Sequence, residues 1–247
     1  APIERMGVAQ ILNRNYKRVN GSNQDTSAAR RGCSVSGKIV FLTRSGPMTA
    51  ERIDGKLFAE GLRAKTTDVV AKLKKEHGNI DVLINNAGIV VGKYFHEHNA
   101  TEIEKTFSIN TSAPMHICNQ FLKNMMEENA GHICNIASSA GLVANPKMSV
   151  YAASKWAIFA WSDSLRLEMK QLKKNIKVTT ILPYYINTGM FDGVQSRISI
   201  LNAEVAAMTI IKAIEKNKKI ISIPRWIYRF TRFGQAFMSV DVFDWFA

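Results

Sequence analysis

Cysteines are few and long apolar runs are absent, and each scarcity excludes a class of protein. The 247 residues contain three Cys (Cys33, Cys118 and Cys134), an odd number, without the spacing of metal ligands. We therefore expect reduced thiols, no disulfide framework and no metal site. No stretch of about 18 apolar residues occurs, so no membrane-spanning helix is expected. The first residues lack an apolar block, so no signal peptide is expected either.

Acidic residues are also scarce compared with basic ones. The chain has 20 Asp and Glu against 33 Lys and Arg, which gives a net charge of +13. This excess favours contact with an anionic membrane surface or an anionic cofactor, although a solvated basic surface explains it equally well. The sequence has neither zinc-finger spacing nor an RNA-binding aromatic motif, so no nucleic-acid partner is predicted.

Apolar strands alternating with amphipathic helices are what the sequence does contain. Residues 1–37 predict a flexible basic extension, residues 38–224 one domain, and residues 225–247 a basic, aromatic tail. The predicted strands are GKIVFLT, IDVLINNAG, GHICNIASS, KVTTILP and KKIISIP. The predicted helices are TTDVVAKLKKEHG and residues 101–128, 151–172 and 203–217. This rhythm predicts an α/β domain with a doubly wound parallel sheet, a Rossmann-like fold.

Polar residues collect where the predicted strands end, which is where ligands bind in such sheets. Tyr151 and Lys155 are four residues apart, so they share one face of a helix. Ser138 ends an apolar strand, Asn110 lies in a helix, and the sequence NNAG ends another strand. Taken singly, each has a structural explanation: a packed Tyr, a capping Ser, an Asn bonded to backbone. Their occurrence together, in this order along one chain, favours a functional site.

In this order and spacing, residues 78–224 resemble the short-chain dehydrogenase/reductase family. The resemblance implies an NAD- or NADP-dependent oxidoreductase with Tyr151 as acid/base and Ser138 as the ligand of the substrate oxygen. Ser138 is preferred to Ser139 because it precedes Tyr151 by 13 residues. Lys155 is expected to bind the nicotinamide ribose, and Asn110 to support a water that links Lys155 to solvent. The implied cofactor-binding residues are Asn86, Ala87, Gly88, Tyr151, Lys155, Pro183, Ile186 and Thr188.

The chemistry of carbonyl reduction explains the need for these residue types. A phenol has a pKa of about 10 and is a poor base at neutral pH. A fixed ammonium and a positively charged nicotinamide together favour the phenolate, and a decrease of about three units corresponds to roughly 4 kcal/mol. The hypothesis is that Lys155 lowers the pKa of Tyr151 and so makes it a general acid/base.

The sequence LPYYINTGMF, with Tyr184 where the family usually has Gly, is similar to the retinol dehydrogenase and 17β-hydroxysteroid dehydrogenase branch. That similarity implies a hydrophobic alcohol or ketone as substrate. It also implies a location on the cytoplasmic side of the endoplasmic reticulum or on a lipid-droplet surface. The family resemblance further implies a homodimer. The tail PRWIYRFTRFGQAFMSVDVFDWF suits a membrane interface, and it suits packing over the substrate cleft or a dimer contact equally well.

The resemblance fails where the cofactor pyrophosphate should bind. The family has a glycine-rich turn, TGxxxGxG, after its first strand, and this chain has FLTRSGPMTAERIDG there. The three glycine places carry Arg44, Met48 and Ala50. Thr43 and Asn85 are 42 residues apart, which is short by roughly 30 residues, the length of one strand-helix-strand unit. The sequence predicts that such a unit is missing near residues 44–66.

Three interpretations of this departure stay open. In the first interpretation, the first half of the chain is a splice or gene-model product whose sequence is not native to the family. Alternatively, the chain is a catalytically impaired binding or membrane-surface protein. In the third interpretation Arg44 and Lys38 bind the phosphates by charge. This one is the least favoured, because Arg44 and Met48 would occupy the volume that the pyrophosphate needs.

Overall fold

A computed structural model of the protein describes residues 38–42, 52–54, 70–71, 75, 79–188, 190, 196 and 198–246. The strands of this part of the chain form one sheet: β1 Lys38–Leu42, β2 Arg52–Asp54, β3 Val82–Asn85, β4 Gly131–Ile136, β5 Ile176–Pro183 and β6 Ile220–Ile223. Its α-helices are α1 Ala100–Phe107, α2 Ala113–Glu128, α3 Ser149–Gln171, α4 Ala203–Glu215, α5 Trp226–Phe237 and α6 Val240–Phe246. The predicted extension 1–37 and most of the predicted helix TTDVVAKLKKEHG lie outside the described residues.

The predicted parallel sheet is present in β3, β4, β5 and β6. The strand order is β2-β1-β3-β4-β5-β6, and the last four strands run parallel. Successive side chains of a strand point to opposite faces of the sheet. On one face Leu83, Ile133 and Val178 pack with α2 and α3. On the other face Ile84, Cys134 and Ile181 pack with α4. The prediction of a doubly wound, Rossmann-like sheet is confirmed for this part of the chain.

The first two strands run against the rest of the sheet. β1 pairs antiparallel with β2 and with β3, and Leu42 lies opposite Val82. The sequence predicted β1 as a strand of the parallel sheet, and its antiparallel direction corrects that prediction. Residues 43–51 join β1 to β2, and they are fewer than the dozen or so that a parallel crossover needs, whereas an antiparallel return needs only a short connection. β1 therefore begins at the carboxyl edge of β3 and ends at its amino edge.

Cys118 and Cys134 are buried in the core, and the C-terminal segment is helical. Cys118 and Cys134 are free and buried, and burial raises the pKa of the Cys118 thiol to about 12, as suits a small core side chain. The segment after residue 224 is helical, and α5, with the buried Ile227 and Thr231, contacts β6. Among the described residues no group of side chains could hold a metal ion, and no helix is long and apolar enough to cross a membrane.

Candidate active site

A cavity opens at the carboxyl ends of β3, β4 and β5, where the sequence predicted the site. One wall carries Ser138, Tyr151 and Lys155, and the other carries Pro183, Ile186 and Thr188. Asn86 and Gly88, which follow β3, complete the floor between them. The structure therefore brings together eight of the ten residues that the sequence singled out. The other two, Ala87 and Asn110, are buried behind the wall and do not line the cavity.

Ser138 and Tyr151 meet because a tight turn returns the chain from β4 toward α3. Ser138 lies two residues after β4, and its Oγ accepts a hydrogen bond from the Ala140 N–H at 3.1 Å, which caps the 3-10 turn Ser139–Gly141. Gly141 is needed here, because a Cβ at this position would lie 2.9 Å from the backbone oxygen of Lys155. This close approach of the turn to α3 puts the Ser138 side chain in hydrogen-bonding contact with Tyr151.

Lys155 is buried in the second turn of α3, about one helical turn after Tyr151. Its Nζ donates a hydrogen bond to the Ile136 carbonyl at 3.0 Å, and it lies 5.9 Å from the centre of the Tyr151 ring. Because the side chain is only 4% exposed, burial lowers the pKa of Lys155 to about 8. The ammonium is thus held in place by a strand-end carbonyl, and it loses its charge more readily than an exposed lysine.

Burial governs the pKa of Tyr151 in the chain by itself. It raises the pKa of the phenol to about 12, the hydrogen bond from Ser138 acts in the opposite direction, and the nearby Tyr185 raises it further. The desolvation of a phenolate thus outweighs the contacts that favour it. Tyr151 is therefore neutral at physiological pH and can donate a proton. The lower pKa was predicted for Lys155 together with a bound nicotinamide, and for that pair it stays a prediction.

Asn110 lies in a π-helical segment, Ser108–Ser112, between α1 and α2. Its Oδ1 accepts from the Ile89 N–H at 2.8 Å, and its Nδ2 donates to the Ile89 carbonyl at 2.9 Å and to Ser154 Oγ at 3.0 Å. The side chain therefore ties the segment after β3 to α3. The alternative of an Asn bonded to backbone describes these contacts, and the predicted support of a water remains a prediction. Single π turns occur often at functional sites.

Two neighbours of the predicted residues were missed. Ser154, next to Lys155, joins Asn110 to α3, and its Oγ also donates to the Tyr151 carbonyl at 2.7 Å. Tyr185 lines the cavity opposite Tyr151, and its hydroxyl accepts from Asn145 Nδ2 at 3.2 Å, which links the two walls. The only signal in the sequence was the replacement of the usual Gly by Tyr184, one residue before Tyr185.

The cavity fits the nicotinamide end of a dinucleotide. Gly88 leaves the space above Lys155 open, because a Cβ there would lie 3.3 Å from Lys155 Nζ. The sequence after β1, TRSGPMTAE, lacks the glycine-rich turn that the family uses for the pyrophosphate, and it lies outside the described residues. Leu42, the last residue of β1, lies opposite Val82, at the other end of β3 from Asn86. With about 3.3 Å per residue, the two edges of β3 are roughly 10 Å apart.

Comparison with known proteins identifies the family. Residues 60–198 match the model of the short chain dehydrogenase family. The chain is 36% identical over 185 residues to Short-chain dehydrogenase/reductase family 16C member 6 of Bos taurus, over 71% of this chain and 58% of that protein. It is 37% identical over 177 residues to Epidermal retinol dehydrogenase 2 of Homo sapiens, over 70% of this chain and 57% of that protein. The chain belongs to the short-chain dehydrogenase family, and its likeness to retinol dehydrogenases is confirmed. It spans a little under three fifths of these relatives' length.

Solved structures have the same fold. A short-chain dehydrogenase from Burkholderia phymatum in complex with NAD has a TM-score of 0.62 at 21% identity, over 70% of this chain and 71% of that chain. A short-chain dehydrogenase from Sphingobium yanoikuyae in complex with NADPH has a TM-score of 0.62 at 24% identity, over 70% and 68%. These likenesses establish the fold of the chain, and the cofactors are those of the solved proteins.

Proposed function

We propose that this chain is an NAD(P)-dependent oxidoreductase that interconverts a hydrophobic alcohol and its carbonyl compound. The observation that carries the proposal is the convergence of Ser138, Tyr151 and Lys155 on one cavity at the carboxyl edge of the sheet. It is supported by family membership and by relatives named retinol dehydrogenases. Since the chain spans only part of those relatives, their activity is transferred here as a proposal.

Each residue has a role that its surroundings allow. Tyr151 donates its phenolic proton to the carbonyl oxygen of the substrate, or takes it back in the reverse reaction. Ser138, hydrogen-bonded to Tyr151, holds the same oxygen from the other side. Lys155, next to Tyr151, binds the ribose of the cofactor. The cofactor supplies or accepts the hydride when it is bound.

The cavity walls support an apolar substrate. Val143, Met148, Ile186 and Met190 line the cavity beside the polar trio, so only the reacting oxygen needs polar partners. A retinoid or a steroid is the substrate class proposed from this lining and from the relatives' names. NAD and NADP are equally compatible with this cavity as the cofactor.

The assembly and location of the protein are further parts of the proposal. Homodimer formation through α3 is supported by an exposed stripe that includes Trp156 (42% exposed) and Leu167 (50% exposed). A place on the cytoplasmic surface of the endoplasmic reticulum or of lipid droplets is supported by the aromatic residues of α5.

A second candidate is a catalytically impaired binding or membrane-surface protein of the same fold. The observations that favour it are the direction of β1, which ends at the amino edge of β3, and the replacement of the family's three glycines by Arg44, Met48 and Ala50. The two candidates differ in cofactor binding. The enzyme requires saturable binding of NADH or NADPH, whereas the impaired protein is expected to bind neither cofactor saturably.

Tyr151→Phe tests the enzymatic proposal, with Tyr94→Phe as the control. Both changes remove one phenolic oxygen, but Tyr94 is half exposed and does not line the cavity. Reduction of all-trans-retinal and of a steroid ketone is assayed together with binding of NADH and NADPH. We expect Tyr151→Phe to bind cofactor like the wild type and to lose about 10²- to 10⁴-fold in turnover, while Tyr94→Phe stays fully active. Absence of both turnover and cofactor binding in the folded wild type would establish the second candidate.

A further inference from the structure

Helix α5 carries three stripes of different character. One stripe is buried and contains Ile227, Thr231 and Gly234, the last of which lies beside Phe243 of α6. The next stripe is aromatic and exposed, with Trp226 51%, Phe230 41%, Phe233 57% and Phe237 76% exposed. The third stripe is basic and consists of Arg229 and Arg232, with Arg225 directly before the helix. Neighbouring positions of a helix are about 100° apart, so the aromatic stripe lies between the buried stripe and the basic one.

The exposed rings form pairs along the helix. Trp226 and Phe230 are in contact, with ring centres 6.0 Å apart, and so are Phe233 and Phe237 at 4.8 Å. Val240 at the start of α6 is exposed as well, at 74%. Scattered exposed apolar residues are ordinary, but a row of four aromatic rings along one helix marks an interaction surface.

We propose that this aromatic stripe docks the protein on a phospholipid bilayer, with α5 lying in the plane of the interface. The proposal rests on the membrane-surface location proposed above and names the surface that produces it. Trp and Phe suit the boundary between headgroups and acyl chains, and the adjacent arginines lie at headgroup height when the rings are inserted. A protein partner is less favoured, because this order of stripes matches the two layers of a bilayer surface.

The charges of α5 and α6 indicate how much electrostatic attraction contributes to membrane binding. Arg232 stacks over Phe159 and Tyr228, which leaves Arg225 and Arg229 to meet headgroups. Asp241 and Asp244 of α6 are exposed nearby and partly offset them. Insertion of the aromatic rings therefore supplies most of the binding, and anionic lipids add a smaller gain.

The docked helix is also connected to the active-site wall. Gln235 Nε2 donates a hydrogen bond to the Leu142 carbonyl, at 2.6 Å, directly before the cavity residue Val143. An apolar substrate dissolved in the bilayer would accordingly leave it next to the cavity. Membrane binding then raises the supply of substrate without changing the chemical step.

Vesicle co-sedimentation of the purified protein tests the proposal, with vesicles of phosphatidylcholine alone and with phosphatidylserine added. The test variant is Phe233→Ser/Phe237→Ser. The control is Tyr94→Ser/Phe95→Ser, which changes two exposed aromatic residues outside α5. We expect the test variant to lose about tenfold or more in vesicle partitioning, and the control to bind like the wild type. Arg225→Gln/Arg229→Gln should lose only the few-fold gain that phosphatidylserine gives.

Two results would overturn the inference and separate it from the proposed function. Equal binding by the test variant and the wild type would leave the membrane location standing and assign it to another surface. A wild type that ignores vesicles but dimerises in analytical ultracentrifugation, with a monomeric test variant, would make the stripe a subunit contact. Thermal unfolding confirms that each variant is folded, and turnover of a water-soluble carbonyl compound should be unchanged in all of them.

Discussion

The two ends of β3 differ in how closely they follow the family. At the carboxyl end, Asn86 and Gly88 join Ser138, Tyr151 and Lys155 around one cavity. At the amino end, Leu42 of the reversed β1 lies beside Val82 and leads away from that cavity. The comparison shows that the cavity lies where the parallel strands β3, β4 and β5 end, whereas β1, the strand before the altered glycine turn, runs in the opposite direction.

The antiparallel direction of β1 also places the backbone of Lys38. Ile39 pairs with Asn85, so β1 begins with Lys38 at the carboxyl edge of β3. Of the two cations considered as substitutes for the glycine turn, Lys38 lies within the described residues and Arg44 lies outside them.

The largest effect is expected for Asn110→Leu, which breaks the link between the carboxyl edge and α3. The change removes three hydrogen bonds and leaves the Ile89 N–H and carbonyl without their partner. We expect the free energy of unfolding to fall by about 3 kcal/mol. Chemical denaturation measures it, with the exposed Asn119→Leu on α2 as the control. Equal stability of the two variants would contradict the role assigned to Asn110.

The tight turn before α3 should be the next most sensitive point. Gly141→Ala places a Cβ 2.9 Å from the Lys155 carbonyl oxygen, whereas a Cβ at Gly92 has no atom within 4 Å. We expect Gly141→Ala to destabilise the protein by about 1–3 kcal/mol and to reduce turnover, and Gly92→Ala to change neither. A fully stable and active Gly141→Ala would show that the turn tolerates a shift away from α3.

The buried ammonium predicts how stability depends on pH in the absence of cofactor. The pKa of Lys155 is lowered from its ordinary 10.5 to about 8. Between these values the unfolded chain binds more protons, so the stability of the folded state rises with pH. Between pH 8 and 10 this gain is about 2 kcal/mol, and it should vanish in Lys155→Met but not in the exposed Lys170→Met. Above pH 10 the raised pKa of Tyr151 acts in the opposite direction.

Prediction from the sequence succeeded where local patterns determine structure. Apolar runs that end in polar residues located β3, β4, β5 and β6 and their common edge, and the order of Ser138, Tyr151 and Lys155 located the cavity. The direction of β1 could not be read, because KIVFL is equally apolar in either direction. The pKa of Tyr151 could not be read either, since it depends on burial by residues far along the chain, such as Tyr185.

The smallest effect is expected at the first strand. Lys38→Gln should weaken the binding of NADH a few-fold, because Lys38 begins β1 at the carboxyl edge. Arg44→Gln, the same change in charge beyond Leu42, where β1 ends at the amino edge of β3, should leave the affinity within about twofold. Fluorescence titration of the two variants with NADH decides between them. A larger loss for Arg44→Gln would show that residues 43–51 reach the cofactor after all.

The most direct measurement compares NADH with reduced nicotinamide mononucleotide, which lacks the adenosine monophosphate half, by titration of the wild-type protein. If the carboxyl edge binds the nicotinamide end while the chain has no glycine-rich turn for the pyrophosphate, both molecules should bind with dissociation constants within about tenfold of each other. Binding of NADH about a thousandfold tighter would contradict this account, because it would require a functioning phosphate site in the first half of the chain.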